Sequence, residues 1–222
     1  MKLSKHTLNI LKNFASINPS IYLRKGNIIT TKSVNNVIYA EAKLDDVIDA
    51  DIGIYDVSEF LSTLGLFNDD VEIAAQVADL QAEIRDHRSV VNYTLVDPSV
   101  IVYPARQIDF PVADVQFNLR NEDLVQVLKA SATLGLPEII VTNSGGKIVI
   151  KAVDSKDSSS NDYAIEVADY DGGNDFQFYI SVENLRMVKG DYRVLISKLG
   201  AVKFEGVSIN YIVSLEANST FS

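Results

Sequence analysis

Residues 4–15 read Ser-Lys-His-Thr-Leu-Asn-Ile-Leu-Lys-Asn-Phe-Ala, and residues 121–133 read Asn-Glu-Asp-Leu-Val-Gln-Val-Leu-Lys-Ala-Ser-Ala-Thr. In both segments apolar residues recur at the spacing of an amphipathic helix. The Leu-Lys pair at 11–12 returns at 128–129, an offset of 117 residues. This repetition predicts two helices in equivalent positions of two similar domains.

The two predicted helices have defined starts and faces. We expect Ser4 to cap the first and Asn121 to cap the second, because short polar side chains satisfy the first free backbone N–H groups. The residues expected to be buried are Leu8, Leu11, Ala15, Leu124, Val127, Leu128 and Ala132. The residues expected on the opposite, polar faces are Lys5, Asn9, Lys12, Ser16, Gln126, Lys129 and Thr133.

A second helix is predicted in each half, each time after a short apolar strand. Residues 57–64 follow a strand at 52–55, and residues 182–187 follow a strand at 176–180. Runs of β-branched and aromatic residues between turn residues predict further antiparallel strands. These are 21–23, 28–31, 37–42, 71–75, 84–86, 90–94, 139–141, 148–151, 164–168, 192–197, 201–204 and 211–215. The predicted fold class is α+β, with two similar domains that each pack two helices on antiparallel sheet.

A proline-rich segment joins the two halves. This connector, residues 97–112, contains three prolines, which cannot continue a central strand. We therefore assign the domains as 1–108, with most of the connector, and 109–222. The connector contains four consecutive apolar residues, Val100, Ile101, Val102 and Tyr103. Because a solvated linker is normally polar, these four either pack on the first domain or bind a partner protein, and packing is the commoner fate of apolar runs.

The distribution of charge is uneven. The 222 residues carry a formal net charge of −10, yet the first 40 contain six basic residues and no acidic residue. The six are Lys2, Lys5, Lys12, Arg24, Lys25 and Lys32. A basic region on an acidic protein favours binding to a polyanion, and nucleic acid is the first candidate.

Composition argues against several classes of protein. The chain has no cysteine, so it has neither a disulfide framework nor a thiolate metal site. No apolar run approaches the roughly 18 residues of a membrane span, and the first residues lack the apolar core of a signal peptide. We expect neither membrane association nor export.

The chain also offers little for catalysis. Its two histidines, His6 and His87, have no second ligand or nucleophile at a useful spacing. The pairs Asp45–Asp46 and Asp69–Asp70 are more typical of caps than of a metal dyad, and the loop at 169–180 lacks the Gly and Glu of a calcium loop. We predict a protein that is not an enzyme and needs no cofactor or metal.

An ordered series of short motifs runs along the whole chain. It includes Phe110-Pro-Val-Ala113, Asp169-Tyr-Asp-Gly172 and Gly200-Ala-Val-Lys-Phe-Glu-Gly206. The other members are at 1–5, 11–15, 39–42, 46–49, 54–56, 68–70, 97–99, 210–211, 215–217 and 219–220. Together they resemble the sliding clamps of T-even-type tailed phages. The resemblance implies a DNA polymerase processivity factor, built as a ring of three identical subunits with helices around the hole and sheets outside.

The resemblance also implies a set of partners. They are double-stranded DNA bound without sequence specificity, the replicative DNA polymerase, an ATP-driven clamp loader, and late-transcription proteins with the host RNA polymerase. It implies work in the cytoplasm of the infected bacterial host. Partners of such clamps dock hydrophobic peptides, and Val100–Tyr103 is the expected neighbour of that pocket. Subunits are expected to meet at residues 80–95 and 162–168, because unpaired strand edges need cover.

Five basic residues are predicted to face DNA: Lys5, Lys12, Lys129, Arg186 and Lys189. The first two are seven residues apart on one helical face, and the last two stand at i and i+3 of the last predicted helix. The helix at 57–64 carries Glu59 and no basic residue, so a wholly basic channel is not expected. Weak, exchangeable phosphate contacts suit a protein that slides.

Two functions remain open from the sequence. The preferred one is a clamp that tethers a polymerase and performs no chemistry. The alternative is a non-DNA interaction module, such as a phage assembly or adaptor protein, that docks partners through the apolar connector. A hydrolase that uses His87 is a distant third. The clamp predicts salt-dependent retention on circular DNA, whereas the adaptor predicts peptide binding without DNA.

Overall fold

The computed structural model describes residues 1–67 and 71–222 and divides the chain into two compact units, Met1–Ile108 and Asp109–Ser222. The motif at 68–70, which contains the pair Asp69–Asp70, lies outside the described residues. Both units combine helix with antiparallel sheet, in agreement with the predicted α+β class.

The first unit contains two helices and seven strands among its described residues. In chain order they are α1 (Lys5–Ile17), β1 (Ile21–Leu23), β2 (Gly26–Lys32), β3 (Ile38–Ile48), β4 (Ile52–Ile54), α2 (Val57–Leu64), β5 (Glu72–Gln76), β6 (Gln81–Arg85) and β7 (Val90–Thr94). Strands β2 and β3 form a hairpin, β1 pairs with β4, and β5, β6 and β7 form an antiparallel sheet. Helix α1 packs on β3 and on α2.

Helix α1 starts where the sequence predicts. The Ser4 hydroxyl accepts a hydrogen bond from the Thr7 N–H at 3.3 Å. Asp46 of β3 reinforces this end, because its Oδ2 accepts from Ser4 N at 2.7 Å and from Thr7 Oγ1 at 2.6 Å. Partial burial tends to raise the pKa of Asp46, but these hydrogen bonds outweigh it and hold the pKa below its usual value. Ser4 is therefore the N-cap, as predicted, whereas Asp46 lies within β3 and supports the cap from there.

The buried face of α1 is rotated from the predicted one. Leu11 is fully buried as expected, but Leu8 and Ala15 are only half-buried. Ile10 and Phe14 take their place, 3% and 1% exposed. Burying a large apolar side chain stabilises a fold by about 1.5–3 kcal/mol. The helix therefore packs the face with its largest apolar side chains against the sheet.

The second unit contains one α-helix and nine strands. They are β8 (Val115–Leu119), α3 (Asn121–Leu134), β9 (Glu138–Ser144), β10 (Lys147–Val153), β11 (Tyr163–Asp169), β12 (Phe176–Ser181), β13 (Tyr192–Ser197), β14 (Ala201–Glu205), β15 (Ile209–Ser214) and β16 (Thr220–Phe221). One antiparallel sheet has the order β11–β10–β9–β12–β16. Strands β8, β13, β14 and β15 pair in that order. Helix α3 packs on β10 and β11.

Two strands of the second unit are absent from the sequence prediction. Strand β8 carries a readable signal, since Val115, Phe117 and Leu119 alternate with polar residues and are buried. Strand β16 is two residues long and has no pattern to detect.

The start of helix α3 corrects one prediction. Asn121 does not cap the helix, because it is the first helical residue and the N-cap position falls on the residue before it. The Asn121 N–H instead donates to Asp191 Oδ1 at 2.7 Å, so a carboxylate from a distant segment does the work of a cap. Further along, Ala132 is exposed while Ser131 is buried, since the Ser131 hydroxyl donates to the Leu136 carbonyl at 2.6 Å.

The second helix predicted for this unit is wrong. Residues 182–187 form only one 3₁₀ turn, Val182–Asn184. The backbone beyond it bonds to side chains instead of to a helical ladder. The Val188 N–H donates to the Tyr211 hydroxyl at 3.1 Å, and the Tyr192 hydroxyl donates to the Val188 carbonyl. These tertiary hydrogen bonds hold residues 185–191 in an irregular path.

Candidate nucleic-acid interface and partner surface

Two of the predicted DNA-facing lysines lie together on α1. Lys5 and Lys12 are exposed on the polar face, and Asn9 between them and Ser16 after them are exposed too. Within residues 1–67 and 71–222, neither lysine forms an ion pair with a carboxylate. Their charges are therefore available to a phosphate backbone.

The stems of these lysines border an apolar groove. The groove between α1 and α2 has a volume of about 450 Å³, and Leu8, Leu61 and Leu64 are among its described lining residues, together with Lys5 and Lys12. A lysine can lay its methylene stem along such a surface and keep its ammonium group in water.

Lys129 occupies the equivalent place on α3. It is exposed, as are Gln126 and Thr133 on the same face. The first turn of α3 is acidic, and Arg120 binds it through Nε to Asp123 Oδ2 at 2.9 Å. The cation of the polar face is therefore Lys129, in agreement with the predicted placement.

Arg186 and Lys189 are exposed but do not share a helical face. Both lie in the irregular segment after the 3₁₀ turn, and Arg186 Nε donates to the Glu183 carbonyl at 2.8 Å. The argument from i, i+3 spacing is therefore wrong for this pair. Their part in DNA binding stays a prediction.

Helix α2 contributes negative charge to the first unit. The Asp56 carboxylate caps it by accepting from the Glu59 N–H at 3.0 Å. Glu59 and its neighbours Ser58 and Ser62 are exposed. The helical surface of this unit is thus cationic on α1 and anionic on α2.

The four apolar residues of the connector divide into two pairs. Ile101 is only 6% exposed and Tyr103 is half-buried, whereas Val100 and Val102 are 60% and 39% exposed. The Val102 carbonyl accepts from Asn18 Nδ2 at 2.8 Å, which ties the connector to the end of α1. Part of the segment packs on its unit and part offers apolar surface. Partner binding by Val100–Tyr103 stays a prediction.

An aromatic and cationic cluster fixes the connector at Tyr103. Its ring meets the Tyr22 ring edge-on, with centroids 4.9 Å apart. The Arg24 guanidinium lies 5.4 Å from the Tyr22 centroid and 5.2 Å from the Tyr103 centroid. The sequence places Tyr22 in a strand and Arg24 in the basic region, but it does not reveal this cluster, because no local periodicity links either residue to Tyr103.

Two strands present free edges where subunit contacts are predicted. Among the described residues, β7 ends the three-stranded sheet and β11 ends the five-stranded sheet. The opposite edge of the smaller sheet is partly covered, since the Ile73 N–H donates to the Met1 carbonyl at 2.9 Å. Val90 on β7 is 58% exposed. Such edges can pair with another chain.

The histidines stand apart from these surfaces. His87 is exposed in the turn between β6 and β7, where the Asp86 N–H donates to the Ser89 carbonyl at 3.0 Å, and His6 is half-buried on α1. In the described part of the chain, no three His, Cys, Asp or Glu side chains are grouped to hold a metal ion. The described helices include none long and apolar enough to cross a membrane.

Comparison with known sequences matches both halves of the chain. The family described as "DNA polymerase processivity factor" matches residues 2–103, and the family described as "gp45 sliding clamp, C terminal" matches residues 116–217. The sliding clamp of Enterobacteria phage T4 is 45% identical over 99% of each chain. The sliding clamp of Escherichia phage RB69 is 43% identical over the same share.

Solved structures agree on the fold. The A. fulgidus PCNA bound to the C-terminal region of FEN-1 superposes with a TM-score of 0.69 at 16% identity, covering 96% of both chains. The Helicobacter pylori beta clamp bound to a DNA ligase peptide gives a TM-score of 0.72 at 14% identity, covering 97% of this chain and 64% of its own. The predicted clamp fold and the resemblance are confirmed, and the chain belongs to the sliding clamp family of T4-like phages, the DNA polymerase processivity factors.

Proposed function

We propose that this chain forms a closed ring of three identical subunits that encircles duplex DNA and tethers the replicative DNA polymerase. The observation that carries the proposal is the polar face of α1, where Lys5 and Lys12 are exposed and outside any ion pair of the described residues in a chain of net charge −10. Membership of the clamp family supports it. The non-DNA adaptor is set aside, because no observation favours it over a clamp.

The proposed DNA contact is weak and unspecific. Its cations are Lys5, Lys12 and Lys129, with Arg186 and Lys189 as further candidates. Lysine contacts to phosphate carry no sequence information, and each can be exchanged for the next phosphate along the duplex. A ring with few such contacts would be attracted to DNA without being fixed at one sequence.

Ring closure is proposed to use the free edges of β7 and β11. A head-to-tail contact between different surfaces of identical subunits closes into a ring when the rotation per subunit permits it. Pairing β7 of one subunit with β11 of the next would satisfy both edges and cover Val90. The number of three subunits comes from the resemblance.

Partner proteins are proposed to dock peptides near Val100–Tyr103. Two proteins of this fold support peptide docking as a mode of binding, since the A. fulgidus PCNA holds the C-terminal region of FEN-1 and the H. pylori beta clamp holds a DNA ligase peptide. The proposed partners are the replicative polymerase, the clamp loader ATPase, and late-transcription proteins with the host RNA polymerase. The clamp itself performs no chemistry and works in the cytoplasm of the infected bacterium.

Native mass spectrometry near physiological salt tests the ring. A species at three times 24.4 kDa is the expected result. A monomer at every concentration, including in the presence of loader and nicked circular DNA, would contradict it. A variant with Val90→Lys on β7 should shift the distribution toward monomer, whereas Val112→Lys, at a more exposed position in the connector, should not.

A further inference from the structure

The first unit contains a second groove, away from α1 and α2. It has a volume of about 320 Å³, and its walls come from the β2–β3 hairpin, the turn at 24–27 and the connector at 104–107. Ile28 lines it and is 53% exposed, which gives the groove an apolar site on an open surface.

The groove is basic in an acidic protein. Arg24, Lys25 and Arg106 line it, and all three are exposed. In the described ranges, none of them forms an ion pair. Glu41 is the acidic residue among the described lining residues, and its carboxylate already accepts hydrogen bonds from the Tyr39 hydroxyl and Gln107 Nε2, each at 3.0 Å. The groove therefore holds a local excess of positive charge.

Contacts within the first unit hold the Arg24 guanidinium in place before any ligand arrives. The Arg24 guanidinium lies over the rings of Tyr22 and Tyr103, 5.4 and 5.2 Å from their centroids, and its Nη2 is 3.5 Å from the Pro104 carbonyl. The Lys25 N–H donates to Asp51 Oδ1 at 2.7 Å, which fixes the turn. A fixed guanidinium loses less conformational freedom when it pairs with a carboxylate.

We propose that this groove binds an acidic peptide segment of a partner protein, with carboxylates on Arg24, Lys25 and Arg106 and an apolar side chain on Ile28. The proposal rests on the proposed docking of partners at the connector and extends the site to residues outside Val100–Tyr103. The basic groove would favour acidic peptides over neutral ones, which the four apolar residues of the connector cannot do.

Peptide is favoured over nucleic acid by what the groove presents. Single-stranded nucleic acid binds through stacking on open aromatic faces. Here the rings of Tyr22 and Tyr103 pack against each other and against Arg24. The Glu41 carboxylate repels phosphate and carboxylate alike and does not distinguish them, whereas the exposed Ile28 offers an apolar contact that suits a peptide side chain.

Fluorescence anisotropy with the full-length protein tests the proposal. The probe is a fluorescein-labelled octapeptide of alternating Asp and Leu, and its control replaces every Asp by Asn. The test variant is Lys25→Gln with Arg106→Gln, and the control is the removal of a single charge away from the groove, Arg88→Gln, at an exposed arginine in the β6–β7 turn. Because two charge-assisted contacts are lost, the double variant should bind the acidic probe at least about tenfold more weakly, and Arg88→Gln should bind as the parent does.

Three results would overturn the proposal. The neutral peptide could bind as tightly as the acidic one, the double variant could bind like the parent, or an octathymidylate could bind with the same dependence on Lys25 and Arg106. The exposed positions leave folding intact, which unchanged thermal unfolding would verify. Retention on circular DNA separates this proposal from the clamp function, since the double variant should keep it. Lost DNA retention in the parent would refute the clamp alone.

Discussion

Lys5 and Lys12 share one exposed strip of α1 because Ile10 and Phe14 fix the opposite edge of the helix in the core. A seven-residue spacing returns a side chain to the same face after two turns. The two ammonium groups therefore lie on the same side of the helix, where both can contact a phosphate backbone.

Reversing both charges should weaken the attachment to DNA. The variant Lys5→Glu with Lys12→Glu is expected to reduce loading onto nicked circular DNA at moderate salt by at least about tenfold. The log–log slope of loading against salt should become shallower by nearly one unit for each lost phosphate contact. The matched control, Lys156→Glu with Lys198→Glu, applies the same charge change at exposed sites outside the predicted DNA-facing set. Equal loading of the test and control variants would count against a DNA-facing α1.

Tyr192 should make the stability of the second unit depend on alkaline pH. Burial raises the pKa of Tyr192 to about 12, against a smaller opposing effect of its hydrogen bond with Tyr211. The folded state therefore favours the neutral phenol. This stabilisation is complete below pH ~10 and is lost as the pH rises through about 12, by roughly 1 kcal/mol per pH unit.

Urea unfolding at several pH values measures this effect. Tyr192→Phe should lower the free energy of unfolding at neutral pH by about 1 kcal/mol, through loss of the bond to the Val188 carbonyl, and should flatten the decline above pH ~10. Tyr55→Phe, at a side chain that is 66% exposed, is the control and should leave the decline unchanged. An unchanged decline in the Tyr192 variant would show that other groups cause it.

At the scale of elements, Gly53 of β4 allows the connector to approach the first unit. A Cβ at this position would lie 2.3 Å from the Val96 carbonyl oxygen and 3.1 Å from Ile101 Cδ1. The Val96 N–H also donates to the Gly53 carbonyl at 2.9 Å. Glycine is therefore required here by the proximity of another backbone segment.

Gly53→Ala should consequently destabilise the first unit and loosen the connector. The expected loss is about 1–3 kcal/mol in urea unfolding, with faster amide hydrogen exchange at residues 96–103. Gly173→Ala, where a Cβ would meet nothing within 4 Å, should stay within roughly 0.5 kcal/mol of the parent. A Gly53 variant as stable as its control would mean that the backbones separate at no cost.

Elements with a strong local pattern could be predicted from the sequence. Strands β1, β7 and β13 have their predicted bounds, and α2 begins and ends where predicted, because alternation or helical periodicity fills each of them. The segment at 182–187 also has helical periodicity. Its failure to form a helix follows from the hydroxyls of Tyr192 and Tyr211, which bond the backbone of Val188 from other strands.

In the candidate site too, some features could be predicted from local sequence and others could not. The exposure of Lys5, Lys12 and Lys129 follows from helical spacing and could be predicted. The place of Arg24 could not, because it depends on two tyrosines that only the fold brings to 4.9 Å from each other. Helical spacing is enough to predict which cations share a helix face. The basic groove could not be predicted in this way, because three separate segments form it.

At the scale of the whole molecule, the net charge of −10 and the basic polar face of α1 oppose each other. An acidic surface repels duplex DNA in general, and a local cationic surface attracts it. A closed ring reconciles the two, because a topological link holds DNA without strong contacts. Encirclement differs from ordinary affinity because release of an encircling protein depends on free DNA ends.

Retention before and after linearisation tests encirclement most directly. The protein is loaded on a nicked circular plasmid with its clamp loader and ATP, the complex is isolated by gel filtration, and half is cut once with a restriction enzyme. If the protein encircles DNA, it stays on the circle at raised salt and leaves the cut DNA through its ends. Equal retention on circular and linear DNA would contradict encirclement and would make this chain an ordinary DNA-binding protein.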